Sequence, residues 1–386
     1  MSWSTVRADQ FCTLITDGTH DSPKPQQSGW KLITSKHLKG HYIDFDSANW
    51  ISEADYLKVI SRSAVEQWDI LFSMIGTIGN IYLEKNSHVE YACKNMGIFK
   101  FSGNKENALW MYYYLKSPQA KAYIQTHLRG STQAYVPLGG LREMPVPVPP
   151  QSVRNEIIAV LRPIDEKIEC NNAINDNLQQ QASALFSSFY DRSNTEVRYT
   201  DLIQILGGGT PKTGENTYWN GNIAFFTPKD VGTPYTLITE KTITEEGLSH
   251  CNSRLYPVNT VFVTARGTVG KVGMSGVPMA MNQSCYALVG KETHQLLVYF
   301  YTLKAVDRLK HKASGAVFDA ITTRDFESEQ IMKLSDDDAK AFLCIAEPMF
   351  QKVLNNCIEN LRLSTLRDSL LPKLMSGEID VSDIQL

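Results

Sequence analysis

Two stretches, DILFSMIGTIGNI (Asp69–Ile81) and NTVFVTARGTVGKV (Asn259–Val272), follow one design. Each opens on an apolar run, stops at two glycines three residues apart, and resumes as a second run, which is how a hairpin reads. Gly76-Thr77-Ile78-Gly79 matches Gly267-Thr268-Val269-Gly270 at an offset of 191 residues. So long an offset predicts an internal duplication. Upstream, DGTHDSPKPQQSGWKLITSKHL (Asp17–Leu38) answers GGGTPKTGENTYWNGNIAFFTPKDV (Gly207–Val231). There Gly18-Thr19 is set against Gly209-Thr210, and Leu32–Lys36 against Phe225–Lys229. Downstream, LWMYYYLKS (Leu109–Ser117) answers LLVYFYTLK (Leu296–Lys304), each an aromatic-rich helix whose tyrosines read as core.

The helical segments match most tightly. From Ile157 to Phe189, apolar residues recur at alternating steps of four and three, and the same stripe returns 185 residues later from Phe342 to Leu374. Asn171 and Asn175 interrupt the first stripe, Asn356 and Asn360 the second, and Pro163 maps onto Pro348. Heptad stripes of this length predict a coiled-coil seam, in which polar asparagines set register and partner choice; two amphipathic helices buried in separate domain cores are the alternative. An antiparallel pair places Asn171 and Asn175 near Asn360 and Asn356. Proline inside a helix removes a hydrogen bond and clashes with the preceding turn. A break or first-turn start is therefore expected at Pro163 and at Pro348. The run Pro145–Pro150, PVPVPP, reads as an extended connector.

Composition narrows the class. Apolar residues make up 42% of 386, enough for the cores of more than one domain. No apolar run is long enough to span a membrane, and the first residues carry no signal core, so a cytoplasmic protein is expected. Seven scattered cysteines without a C-x-x-C pair argue against a disulfide or zinc framework and for small buried apolar residues in a reducing compartment. The net charge of −3 divides unevenly: +2 over residues 1–150, −2 over 151–194, +1 over 195–334 and −4 over 335–386. The alternation follows the duplication.

The glycine run Gly207–Gly209 raises the question of a phosphate loop. A Walker loop needs Gly-Lys-Ser/Thr, and here Lys212 follows Pro211 while Val272 follows Lys271. A dinucleotide fingerprint needs a third glycine at 212 and a helix behind it, and neither is present. The glycines are expected to permit a tight turn before a strand over 223–227. A nucleotide-binding enzyme using this loop and a coiled-coil protein adaptor stand as alternative readings. No nucleophile elbow, metalloprotease helix or paired-carboxylate motif occurs, and no metal site is expected.

The C-terminal LSTLRDSLLPKLMSGEIDV (Leu363–Val381) resembles the closing signature of the specificity (S) subunit of type I restriction–modification enzymes. Gly207–Val231, ARGTVGKVG (Ala265–Gly273) and MNQSCYAL (Met281–Leu288) resemble elements of that family's target recognition domains. The first copy departs from them, with Asp17-Gly18-Thr19-His20 in place of the glycine run. The resemblance implies an α+β fold. Two similar mixed α/β target recognition domains (1–150 and 195–334) are separated by two long antiparallel helices (151–194, and 335–386 with the C-terminal tail). It implies a non-catalytic subunit that reads a bipartite, asymmetric sequence in double-stranded DNA, one half per domain. Two methyltransferase (modification) subunits dock on it and bind S-adenosylmethionine themselves. Restriction/translocase subunits use ATP and magnesium, and this chain binds no cofactor. A helix from Pro163 to Phe189 is about 40 Å long, a ruler on the scale of major-groove half-sites about 34–36 Å apart.

Candidate DNA contacts are loop cations, since Lys and Arg serve both phosphates and guanine edges. They are Lys31, Lys36, Lys39 and Arg129 in the first domain, and Lys229, Arg266, Lys271, Arg308, Lys310 and Lys312 in the second. DRLKHKASG (Asp307–Gly315) is the densest basic run, with YIQTHLRGS (Tyr123–Ser131) as its counterpart.

Overall fold

The computed structural model describes residues 3–40, 42–232, 234–312 and 320–381. The chain forms two compact units, Met1–Glu169 with Arg362–Leu386, and Cys170–Leu361. Each is a mixed α/β lobe, and the two have one plan.

In the first unit a four-stranded antiparallel sheet runs in the order Leu14–Asp17, Met96–Lys100, Ile70–Ser73, Ile81–Leu83. A three-stranded sheet joins Asn49–Ile51, Trp30–Ile33 and Tyr91–Cys93, the last pair parallel. The second unit repeats both. Its larger sheet runs Ile203–Gly207, Cys285–Gly290, Val261–Thr264, Val272–Ser275 and adds Tyr235–Thr236. Its smaller sheet joins Lys241–Ile243, Trp219–Phe226 and Met279–Met281. Ile33 pairs with Cys93 as Phe226 pairs with Met281. The hairpins Ile70–Leu83 and Val261–Ser275 turn on left-handed glycines at Gly76 and Gly79, Gly267 and Gly270. Trp68 and Asn259, 191 residues apart, share a positive φ of 71° and 69°. Even an unfavourable backbone conformation is duplicated.

The aromatic helices cover the larger sheets. Lys105–Lys116 buries Tyr112, Tyr113 and Tyr114, and Gln295–Lys312 buries Tyr299, Phe300 and Tyr301. In the first copy Ser117 caps a new helix, with Pro118 in its first turn, so one helix becomes two.

PVPVPP is not a free connector. Pro145–Val148 is a strand paired antiparallel with Ser4–Arg7. Ala8 N–H donates to the Met144 carbonyl at 2.8 Å, so the ladder bonds fall on residues 144, 146 and 148. Pro145 and Pro147 occupy the alternate positions, where a missing N–H costs nothing. Their carbonyls accept from the Tyr114 hydroxyl and, at 2.8 Å, from Trp110 Nε1.

Nor do the prolines break the long helices. Gln151–Arg192 is one helix of 42 residues and Asp336–Ser376 one of 41. In the first unit Ile157, Ile158 and Leu161 are buried just before Pro163 with Leu371, Leu374 and Met375 from the other helix. In the second unit Phe342 and Ala346 precede Pro348, Phe350 and Val353 follow it, and all are buried with Ala182 and Phe186. Core packing before Pro163 with the buried Asp165 after it, and core packing on both sides of Pro348, outweigh the single lost hydrogen bond at each. Within each unit the helices run antiparallel.

Gly207–Gly209 is not a left-handed turn; none of the three has a positive φ. The strand behind it begins at Trp219. A Cβ on Gly208 would lie 2.2 Å from the Asn282 carbonyl oxygen, and one on Gly209 2.6 Å from the Asn252 nitrogen. Close backbone approach, not turn geometry, requires glycine here. A Cβ on Gly18 would likewise lie 2.3 Å from the Cys93 carbonyl oxygen. Thr19 N–H donates to Cys93 O, and Gly209 N–H to Met281 O. Gly18-Thr19 is therefore equivalent to Gly208-Gly209, one residue off the alignment with Gly209-Thr210. Gly208→Ala is expected to destabilise the second unit by about 1–3 kcal/mol through overpacking. The denaturation midpoint tests this, and an unchanged midpoint would mean that the Met281–Asn282 backbone yields.

Candidate nucleic-acid interface

Three segments of each unit meet at the tip of its hairpin. In the second unit, Thr268 Oγ1 donates to the Pro228 carbonyl at 3.3 Å, which fastens the turn after strand Trp219–Phe226 to the tip. Ile321 N–H donates to Ala265 O at 2.9 Å, and Arg266 bridges Ala320, so the chain returning after Gln295–Lys312 joins them. Lys310 lies over Gly270, its Cε 2.6 Å from where a Cβ would stand. In the first unit Val136 N–H donates to Met74 O at 3.0 Å, and Ile75 bridges Tyr135, which in turn bridges Arg129. Gly40, Gly79 and Asn80 line one cleft, so the turn after strand Trp30–Ile33 also ends beside its hairpin.

The candidate cations divide by what holds them. Lys31 Nζ donates to Ala48 O at 2.9 Å and lies 3.9 Å from the centre of the Trp50 ring. Arg308 donates to Gln330 O at 2.6 Å and to the Tyr190 hydroxyl at 3.2 Å. Lys312 Nζ bonds the buried Glu329 carboxylate at 2.5 Å. These three are tied to their own lobe. Lys39 Nζ is folded back on Lys36 O at 2.8 Å, although its side chain is exposed. Lys36, Arg129, Arg266, Lys271 and Lys310 are exposed, and Lys229 is 78% exposed with only a 3.3 Å contact to the exposed Glu240. Arg266, Lys271, Lys310 and Lys229 converge at the second hairpin tip. In the basic run Asp307–Gly315, residues 313–315 lie outside the described residues.

The asparagines form a separate cluster, wholly within the second unit. Asn171 Nδ2 donates to Asn360 Oδ1 and to Glu359 Oε2, both at 2.9 Å. Asn356 Nδ2 donates to Asn175 Oδ1 at 2.8 Å, and Asn360 Nδ2 to Asn172 Oδ1 at 2.9 Å. Asn171 and Asn356 are fully buried. A one-heptad slip would set Asn175 against Leu363 or Met349 and Asn356 against Ala182 or Ile168, leaving both amides unpaired.

A charged cluster in the first unit escaped the sequence reading. Asp165, on the first long helix, receives Lys116 Nζ at 3.1 Å and Arg367 Nη1 at 2.7 Å. Burial favours the neutral acid, but the two cations outweigh it and hold the Asp165 carboxyl below the usual carboxylate range. The available signal was Arg367 itself, a charge in an apolar stripe that required a counter-ion. Cysteine burial is also uneven: Cys12, Cys93 and Cys285 are buried, whereas Cys170 and Cys344 are exposed on the long helices.

The glycine run is not a cradle of free amides: Gly209 N–H is taken by the Met281 carbonyl, and Gly208 lies against the Asn282 carbonyl oxygen. Among the described residues, no helix is long and apolar enough to cross a membrane.

A family model described as the type I restriction modification DNA specificity domain matches the chain twice, over residues 3–180 and 192–333. The chain is 22% identical over 415 aligned positions to the type I restriction enzyme HindI specificity subunit of Haemophilus influenzae, covering 85% of this chain and 90% of that protein. A 124-residue stretch is 32% identical to the MjaIX specificity subunit of Methanocaldococcus jannaschii, 31% of this chain and 29% of that one. The fold resembles that of the crystallised type I restriction–modification S subunit from M. genitalium, with a TM-score of 0.57, 14% identity, and 97% and 96% of the two chains covered.

Proposed function

Because this chain belongs to the type I restriction–modification DNA specificity family, we propose that its two lobes each read one half of a bipartite, asymmetric DNA target, without catalysis by the chain itself. The observation that carries this reading is one fold present twice with different side chains at equivalent tip positions. Where the second hairpin has Arg266 and Lys271, the first has Ile75 and Asn80. Two lobes of one build approach duplex DNA in the same manner, and different base-facing groups select different base pairs.

The exposed cations beside the tips, Lys36, Lys229 and Lys310, with Arg129 and Lys39 at their margins, supply the phosphate attraction that a chain of net charge −3 lacks as a whole. The long helices are the part that modification subunits grip. Two such subunits bring S-adenosylmethionine, restriction/translocase subunits bring the ATP and magnesium chemistry, and this chain binds no cofactor. Their workplace is the cytoplasm. Asn171, Asn175, Asn356 and Asn360 fix the register of the helix pair, as buried amides do in coiled coils.

Selection of DNA from a random library by the full chain assembled with its modification subunits tests the reading. The expected outcome is a split motif of two unlike halves separated by unconstrained positions. A single continuous motif, or retention of DNA without sequence preference, would overturn it.

A further inference from the structure

The two turns that follow strands Trp30–Ile33 and Trp219–Phe226 carry the same cation on the same local scaffold. Thr34 N–H donates to His37 Nδ1 at 2.9 Å, and Thr227 N–H donates to Asp230 Oδ2 at 2.8 Å. The residue that closes the turn differs, imidazole in one copy and carboxylate in the other, yet the bond joins the same two positions. Two residues after each threonine stands a lysine, Lys36 or Lys229, and both are exposed. Lys36 has no hydrogen bond or ion pair from its side chain among the described residues, and Lys229 has only its weak surface contact to Glu240. The hairpin tip beside each turn behaves oppositely. Its backbone is duplicated to the sign of φ, while its side chains change from Ile75 and Asn80 to Arg266 and Lys271.

A group that must meet something common to both half-sites is expected to be common to both lobes. The phosphate backbone is that common element, since it positions a protein without carrying sequence. A group that reads bases differs when the bases differ. We propose that Lys36 and Lys229 are equivalent phosphate-positioning contacts, and that residues 75 and 80 in the first lobe and 266 and 271 in the second determine base preference. This division rests on the reading of the chain as a DNA-recognition subunit. Lys36 and Lys229 bind as point charges with no planar partner to orient them, as phosphate recognition permits. Arg266 offers the fork that guanine O6 and N7 accept, whereas Asn80 offers the amide that adenine accepts and Ile75, half-buried against the core, only the outer edge of an apolar side chain for a thymine methyl.

The test uses the full chain assembled with its modification subunits, titrated against its selected duplex and an unrelated duplex at several salt concentrations. Lys36→Ala and Lys229→Ala are each expected to weaken both duplexes by the same factor. Each should make the dependence of log affinity on log salt shallower by about 0.9, with the selected motif unchanged. Lys36→Arg and Lys229→Arg should keep the wild-type slope. The double exchange Arg266→Ile with Lys271→Asn should leave that slope nearly in place and change the preferred base at one or two positions of one half only. Discrimination at those positions should shift on the order of tenfold or more. The proposal is overturned if a lysine variant alters the motif or leaves the slope untouched, or if the exchange changes both halves or neither. A wild-type complex without sequence preference would instead remove the underlying reading of the chain, so the two failures are distinct.

Discussion

Replacing Asp165 with leucine is expected to cost the first lobe about 3–5 kcal/mol. The side chain of Lys116 is 23% exposed and that of Arg367 17%, so removing their shared carboxylate strips Lys116 of that ion pair and leaves Arg367 to the exposed Asp368. The duplication supplies the control. Offsets within the matched helices place Leu303, Phe350 and Ala182 at the positions of Lys116, Asp165 and Arg367, so the second lobe fills the same site with apolar groups. Installing that set (Lys116→Leu, Asp165→Phe and Arg367→Ala together) is expected to restore most of the stability, as apolar replacement of a buried charged group often does. Acid gives a second signature. The Asp165 carboxyl titrates below its ordinary value in the folded state. Its contribution is therefore present above the unfolded value of about 3.9 and lost as pH falls through the lower folded one. The wild type should lose this increment below about pH 4, and the triple variant should not. Denaturant titration of the full chain at neutral and acid pH measures both effects. Equal stability of Asp165→Leu and wild type would show that the three charges are hydrated rather than paired.

Phe300→Ala is the second large effect, and it falls on the other lobe. Phe300 is 3% exposed. Its ring centre lies 5.0 Å from that of Phe186, 5.2 Å from Phe342 and 5.5 Å from Phe350. Truncation removes the hub of a cluster joining the aromatic helix to both long helices. The expected loss is about 3–5 kcal/mol for the transfer and cavity terms, with part of it from edge-to-face pairs worth about 0.5–1.5 kcal/mol each. Amide hydrogen exchange on the full chain resolves where the loss falls. Protection should drop across residues 170–361 and persist in residues 3–169. A uniform drop would mean that the lobes unfold as one cooperative body.

Set against the sequence, these two sites mark where local pattern stops being informative. The duplication was legible because it rests on backbone requirements: Gly76, Gly79, Gly267 and Gly270 are needed for positive φ, and periodic apolar residues mark buried helix faces. Pro163 and Pro348 misled because local propensity is outweighed by tertiary burial on both sides. Pro145 and Pro147 misled because a strand tolerates proline wherever the N–H points away from its partner, a matter of register that one strand's sequence does not carry. Gly18 was misaligned by one residue since the glycine is required by Cys93, distant in sequence. The Lys116–Asp165–Arg367 cluster joins three segments of the chain, and no spacing rule connects them. Among the cations, sequence could propose all ten, but only the folded contacts show that Lys31, Arg308 and Lys312 are bonded within their lobes, Lys312 with its side chain still 61% exposed.

The most direct test of the claim that two alike lobes read two unlike half-sites is an exchange of reading parts. DNA selected by the wild-type assembly would be compared with DNA selected by a chain in which residues 74–80 carry the sequence of residues 265–271. Substitution confined to one half of the motif, with the other half and the spacing retained, is the predicted result. A motif that changes in both halves at once, or keeps both halves intact, would contradict the assignment of one half-site to each lobe.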